Sequence, residues 1–455
     1  MDYPIRAFGV YETKSNEYDK KHGGFPHCLI KDHDRAIAHI LLFLEGIVMT
    51  THKSAGPALR RILSVSAAIL VLPSAAFALD GQDLLAKINK SYTGGNAAIT
   101  ASSIDINGDV VTLRGTKLKP AKASDTGPDA APVSIGDVKM SGVIENQDGS
   151  YEIDRVDFQP LNLVENNSTV TASDLYLSGV TVPAKTDGGD LASMLFYEKA
   201  HSGPISVKAD GKEVLSMAEA EATTAIEDDG ASLAFEGTVK GFKLDLSTVD
   251  DPKSRDAIEK LGISMLDGGM TMKGSWELQS GTIDVQNYTL DFKNVGKLTV
   301  ALGLSGYTLD LVKQLQETAR AMETNAKDPQ AQQASGIAIL GLMQQMSFLG
   351  ADIRFDDAGI TERALAYSGS QQGVSGKDMG QMVKAMMPLM LAQAKLGDFQ
   401  NVVTSAVNAY IDNPKSLTIS AEPQNPVPFP LIVGAAMGAP ETLPKVLGAK
   451  VTSND

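Results

Sequence analysis

Cysteine occurs once in the 455 residues, at Cys28, and histidine six times, at His22, His27, His33, His39, His52 and His201. The cysteine and five of the histidines fall before residue 79, within or ahead of a secretion signal. Residues 49–78 read MTTHKSAGPALRRILSVSAAILVLPSAAFA. Lys53, Arg60 and Arg61 give a cationic start, 62–72 an apolar stretch, and Ala76-Phe77-Ala78 a small-x-small cleavage site. The apolar stretch is far shorter than the ~20 residues of a membrane-spanning helix. A signal behind 48 other residues is accounted for by translation from Met49, which makes 1–48 a mis-assigned extension. The other reading is a real extension in which 37–49 joins a longer apolar segment, interrupted by His39 and Glu45. Cleavage after Ala78 predicts a periplasmic chain starting at Leu79, with no permanent membrane span.

Such a chain has no thiol, which excludes disulfides, thiolate metal sites and a cysteine nucleophile. His201 is its only imidazole, in the loop-like Ala200-His-Ser-Gly-Pro204. A serine triad needs an imidazole base, yet no G-x-S-x-G elbow is present, and Gly373-Val-Ser-Gly376 has the wrong spacing. His201 reads as a surface residue, and no catalytic, cofactor-binding or metal-ligating residue is assigned. Asp105-Ile-Asn107-Gly-Asp109 resembles a calcium loop, but Val110 and Thr116 stand where glycine and glutamate are required, so it reads as a turn. Asp187-Gly-Gly-Asp190, Glu227-Asp-Asp-Gly230 and Asp356-Asp-Ala-Gly359 likewise read as solvated turns. Gly376-Lys377 lacks the remainder of a phosphate loop. Aromatics make up only 5% of the chain, with Trp276 the sole tryptophan, which counts against a sugar cleft.

Basic charge is also short. The chain carries 40 Lys+Arg against 55 Asp+Glu, a net −15; residues 1–78 hold 9 basic and 7 acidic residues, leaving −17 beyond them. That balance repels phosphate backbones and anionic bilayers, so no nucleic-acid partner is expected.

What is present is β patterning. Asn107-Gly108, Asp148-Gly149, Asp210-Gly211 and Asp229-Gly230 each sit between apolar runs as hairpin turns. Leu298, Val300, Leu302 and Leu304 alternate cleanly, and 253–261 is the best helix before residue 307. Asp137-Val-Lys-Met-Ser-Gly-Val143 matches Asp174-Leu-Tyr-Leu-Ser-Gly-Val180, either by chance or as a repeated meander that bends at each glycine. From Tyr307 helical spacing takes over: a face of Leu311, Leu315, Ala319 and Met322, then helices over 330–348, 361–367, 375–395 and 399–411. Short strands are predicted at 351–355 and 416–421. The fold class is therefore α+β: a β-rich antiparallel curved sheet over 79–306, with a mixed, mainly helical part over 307–455 packed on it.

Met379, Met382, Met386 and Met390 form one helical stripe. Three readings fit it: core packing, an adaptable apolar surface for a ligand or partner, and a Cu(I) thioether site. The DxxxSGV repeats, the hairpins and Arg354-Phe-Asp-Asp-Ala-Gly-Ile-Thr-Glu-Arg-Ala364 together resemble AsmA-like envelope proteins. The segment Asn413-Pro-Lys-Ser-Leu-Thr-Ile-Ser-Ala421 is similar to the closing strand of uncharacterised exported proteins of α-proteobacterial type. The resemblance implies curved sheets with an apolar inner surface, serving lipid handling or envelope upkeep. The expectation is an exported, non-enzymatic protein whose partner is a lipid, another apolar ligand or an envelope protein. A carboxylate-based hydrolase and a purely structural assembly partner are the alternatives.

Overall fold

The computed structural model describes residues 79–93, 98–119, 131–165, 167–186, 193–227, 230–324 and 328–455. The 1–48 extension, the 49–78 signal, the 187–190 turn and residues 228–229 lie outside the described residues. Among the described residues twenty strands form one antiparallel sheet, in which each position pairs with its neighbour in sequence.

The first position is β1 (Ala98–Thr100) with β2 (Ser103–Asn107), both on one edge of β3 (Val110–Lys119). Next come β4 (Val133–Glu145) and β5 (Tyr151–Phe158). The next strands are long and broken by a corner. β5 continues as β6 (Leu161–Glu165), β7 (Ser168–Ala172) as β8 (Leu175–Val182), β9 (Lys199–Ser202) as β10 (Ile205–Ala209), and β11 (Lys212–Met217) as β12 (Glu219–Glu227). On one side of the corner the order is β5–β8–β9–β12, and on the other β6–β7–β10–β11. Both sides meet β13 (Ser232–Asp245). The corner is tied by Ser173 N–H to Pro204 O, Gly203 N–H to Ser173 O and Ala218 N–H to Lys240 O.

The sheet continues through β14 (Met265–Glu277), β15 (Thr282–Phe292), β16 (Gly296–Ser305), β17 (Ser347–Asp357) and β18 (Ser416–Ala421), ending on β20 (Ala449–Ser453). A short β19 (Val427–Pro428) extends β18 along the same edge of β17. Pairing thus runs across the change of texture at 306/307, because β17 joins β16 over its whole length.

The two sequence repeats fall on β4 and β8, which flank β5 rather than follow one another. In that register Asp154 stands between Gly142 and Gly179, and both glycines have positive φ, 67° and 60°. A Cβ on Gly142 would meet the Asp154 side chain, and one on Gly179 the Glu198 side chain. The buried set changes phase along this line: Val138 and Met140 give way to Val143, and Tyr151 and Ile153 to Val156. A line of such phase changes across neighbouring strands bends the sheet.

The largest core lies on this part of the sheet, with Val111, Leu113, Met140, Ile153, Val182 and Tyr197 among its buried members. Its cover is α1 (Gly81–Thr93), a helix absent from the sequence expectation for this β-rich part. Asp80 caps it by accepting from Gln82 N–H and Asp83 N–H at 2.9 and 3.1 Å. Leu84 inserts into the core, with Leu85 and Ile88 packed beside it. Asp83 accepts from Lys87 Nζ at 2.5 Å and from the Tyr151 hydroxyl at 2.7 Å, and Lys87 also donates to Gly149 O at 2.8 Å. Those bonds clasp the helix to the β4–β5 hairpin.

The Lys87 hydrogen bond holds the Asp83 carboxyl below its ordinary value, with the Tyr151 bond adding to the effect against desolvation. A carboxyl depressed in the folded state stabilises above its unfolded pKa of about 3.9 and loses that contribution as pH falls through the folded value. Asp83→Asn is therefore expected to melt below wild type at pH 7, with the gap closing near pH 2. Thermal unfolding at the two pH values checks this; a gap that persists in acid would detach the clasp from Asp83 ionisation.

The remaining helices sit in the connections. α2 (Pro252–Lys260) starts on an Asp251 cap with proline in its first turn. α3 (Leu309–Thr324) and α4 (Pro329–Met343) lie between β16 and β17. The helix expected over 330–348 stops at Met343, because Phe348 pairs with Leu304 and Val427 and so belongs to β17. β17 accordingly outgrows the expected strand at 351–355. α5 (Ile360–Gln371), α6 (Gly376–Ala394) and α7 (Phe399–Asp412) pack in sequence between β17 and β18. α8 (Phe429–Gly438) and α9 (Leu443–Val446) lead into β20.

Candidate apolar trough

Strand alternation places every second side chain on one face, and from β13 to β20 that face is apolar along four transverse rows. One row runs Val239, Met270, Leu290, Leu298, Phe355, Leu417 and Ser453 across successive strands. The next runs Gly237, Met272, Tyr288, Val300, Ile353, Ile419 and Val451. The third runs from Phe235 through Gly274, Val285, Leu302 and Ala351 to Ala421 and Ala449. The fourth joins Leu233, Trp276, Ile283, Leu304 and Phe348. No charged residue stands in any of the four.

In the first part of the sheet this same face carries the largest core, against which α1 packs. In the second half most of it is only half-buried, and Ile353 and Ile419, paired across β17 and β18, are 42% and 48% exposed. Strands about 4.8 Å apart make seven positions span about 29 Å, and four alternate rows cover about 20 Å along the strands. The result is an open apolar trough.

Both ends have local cover. At the fourth row Trp276, Leu278 and Val312 form a small core with Ile283, Tyr307 and Leu309, so the start of α3 closes that end. Trp276 Nε1–H donates to Tyr307 O at 2.9 Å. At the last strand α7 lies against β20 and β18. Tyr410 of α7 is buried, its hydroxyl 2.7 Å from Thr361 Oγ1 and donating to Asp357 Oδ2 at 3.1 Å. Burial pushes the Tyr410 hydroxyl up to about 12. Tyr410→Phe is expected to cost about 1.5–3 kcal/mol, the net worth of a hydrogen bond to a carboxylate, in urea-induced unfolding; an unchanged midpoint would show that Thr361 and Gly359 satisfy Asp357 without it.

Beside α7 an open groove of about 610 Å³ is lined by Asn401, Val402, Ser405, Ala406 and the β20 residues Val451, Thr452 and Ser453.

The methionine stripe lies on α6, whose packing partners are α5 and α7. Met379 is buried, whereas Met382, Met386 and Met390 are 40%, 53% and 60% exposed. The stripe is thus anchored at one end and open to solvent over the rest, with Leu389 beside it also exposed.

His201 is on a strand rather than in the loop its neighbours predict, because Tyr176 and Glu221 pair with it across β8 and β12. Its ring stacks on Tyr176 at 4.7 Å, with Nε2 3.3 Å from Asp174 and Nδ1 3.4 Å from Glu221. It belongs to the charged outer face, where Arg155 meets Asp157, Lys199 meets Glu221 and Lys273 meets Glu236. Among the described residues every displaced carboxyl is displaced downward, as for Asp137 beneath Gly115 N–H and Arg114, and Asp245 beside Lys212 and Ser247.

The sequence pointed to the trough only through Leu298–Leu304; the period-two run Met270-Thr-Met272 and the glycines of β14 carried a fainter form of the same signal. No helix among the described residues is long and apolar enough to cross a membrane. A protein-family model described as "Uncharacterized protein" matches residues 289–454, which covers the last turn of the trough from the end of β15 to β20. No curated protein matches the chain.

Proposed function

We propose that the chain is an exported, periplasmic protein of the envelope that holds an apolar ligand or lipid in the trough without transforming it. The observation that carries this reading is the set of three uncharged rows that cross seven strands and stay largely half-exposed, flanked by a fourth row over five strands that α3 covers. Exposed apolar surface of that extent is costly to keep in water and marks interaction sites. The hydrocarbon core of a bilayer is about 30 Å thick, so one leaflet of acyl chain is about 15 Å deep. A chain of that length fits across three or four strands of the trough. The likeness of the DxxxSGV repeats and hairpins to AsmA-like envelope proteins leads to the same expectation of lipid handling.

Protein stripped of lipid is expected to take up a hydrophobic dye or a phospholipid saturably, and the bound phospholipid to displace the dye. Absence of saturable uptake would overturn the reading and leave an envelope assembly partner in its place.

A further inference from the structure

Among the described residues β20 pairs with β18 alone, and its hydrogen-bond phase is fixed at both ends of the strand. Asn454 N–H donates to Ser416 O at 2.9 Å, and Glu422 N–H to Gly448 O at 3.4 Å. Thr452 and Lys450 therefore turn their backbone groups toward β18, while Ala449, Val451 and Ser453 turn theirs outward. These three are the β20 residues whose side chains lie on the trough face, and α7 walls the space beside them. None of the residues lining that groove is charged. Native edges are commonly blunted by a charge in the path of an incoming strand. The one charged residue of β20 is Lys450, and its ammonium is drawn to Glu422 at 2.6 Å.

We propose that the β20 edge and α7 form a docking site for an extended peptide segment of a partner protein, added as one more antiparallel strand. Outward N–H and C=O groups on alternate residues, repeating every ~6.8 Å, are matched by the backbone of another strand. An acyl chain offers them nothing. One apolar side chain of the incoming segment would seat against Val402, Ala406 and Val451, and a charged one would be desolvated there without a partner. A second copy joining through its own β20 would bring its α7 to the same face of the sheet and against this one, which favours an isolated strand over self-association.

The test uses a short acetylated and amidated peptide of alternating threonine and valine with a lysine at each end, fluorescently labelled and followed by anisotropy. Saturable binding is expected. Ser453→Pro removes one outward N–H while leaving the β18 ladder intact, and is expected to weaken binding at least tenfold. Val402→Asp, at a half-exposed position on α7, should do the same by charging the seat. A peptide N-methylated on alternate residues should fail to bind. Binding that survives Ser453→Pro and N-methylation, no saturable binding, or a stable dimer of the wild type broken by Ser453→Pro would overturn the proposal. Val451 and Ser453 belong to both surfaces, so the two readings are separated two strands away: Ile353→Glu should weaken phospholipid uptake and leave peptide binding unchanged, and loss of both would overturn a separate peptide site.

Discussion

Ile353→Glu and Ile419→Glu, made singly, are each expected to weaken hydrophobic-dye or phospholipid binding about thirtyfold or more while leaving cooperative unfolding in place. The two side chains face one another across β17 and β18 in the middle of the trough, and both are already in contact with water. A carboxylate at either position keeps its solvation in the free protein, so the fold loses little. With ligand bound, the same carboxylate loses water and gains no partner, since the flanking row members Val300 and Val451 are apolar. Loss of one apolar contact is worth about 1.5–3 kcal/mol before any charge desolvation, and 1.4 kcal/mol is a factor of ten. Ser420→Glu, one residue along β18 on the opposite face, should change binding less than twofold. Equal losses at all three positions would mean that the variants act through the fold rather than through the trough.

Leu84→Ala is expected to be the most damaging single truncation for stability, at about 3–5 kcal/mol. Leu84 is 1% exposed and is the side chain through which α1 enters the largest core. Truncating a buried leucine removes its transfer energy and leaves a cavity whose cost depends on how far the neighbours relax. Relaxation here is restrained on both sides, by the Lys87 and Tyr151 bonds to Asp83 and by the paired strands beneath. Leu84→Met, which keeps the volume, should cost less than about 1.5 kcal/mol. Urea titration of both variants checks the pair. A loss below about 1 kcal/mol for the alanine variant would show that the sheet holds its core without the helix.

The hairpins were legible because their turns are local. Asn107-Gly108, Asp148-Gly149 and Asp210-Gly211 all connect antiparallel neighbours, and the positive φ of each glycine is a property the residue carries with it. The chain's texture also located the helical part. Helix α1 escaped because its Leu84, Leu85 and Ile88 are few, and because its stability comes from bonds to Tyr151 and Gly149 far along the chain. The helix read over 330–348 ends at Met343 for a related reason. Gly341-Leu-Met-Gln-Gln-Met346 has no strong stop signal, and the strand that claims Ser347 and Phe348 is specified by β16 and β19. Gly203 and Pro204 give His201 a loop-like context in sequence, but they mark the corner between β9 and β10. The trough was the least legible of all, since an apolar face reads the same in sequence whether it is covered or open.

Because each position of the sheet is hydrogen-bonded to the one before it in the chain, most pairings join strands linked by short turns, while β16–β17 and β17–β18 wait for the helices between them. At the steps joined by short turns the entropy of closing the loop, which slows most sheets, is small. A chain delivered from its N-terminal end can lay down α1 and the first strands as a template, then add one strand at a time. Until each next strand arrives the growing edge is exposed, and among the described residues the edge of β20 is left unpaired when the last strand is in place.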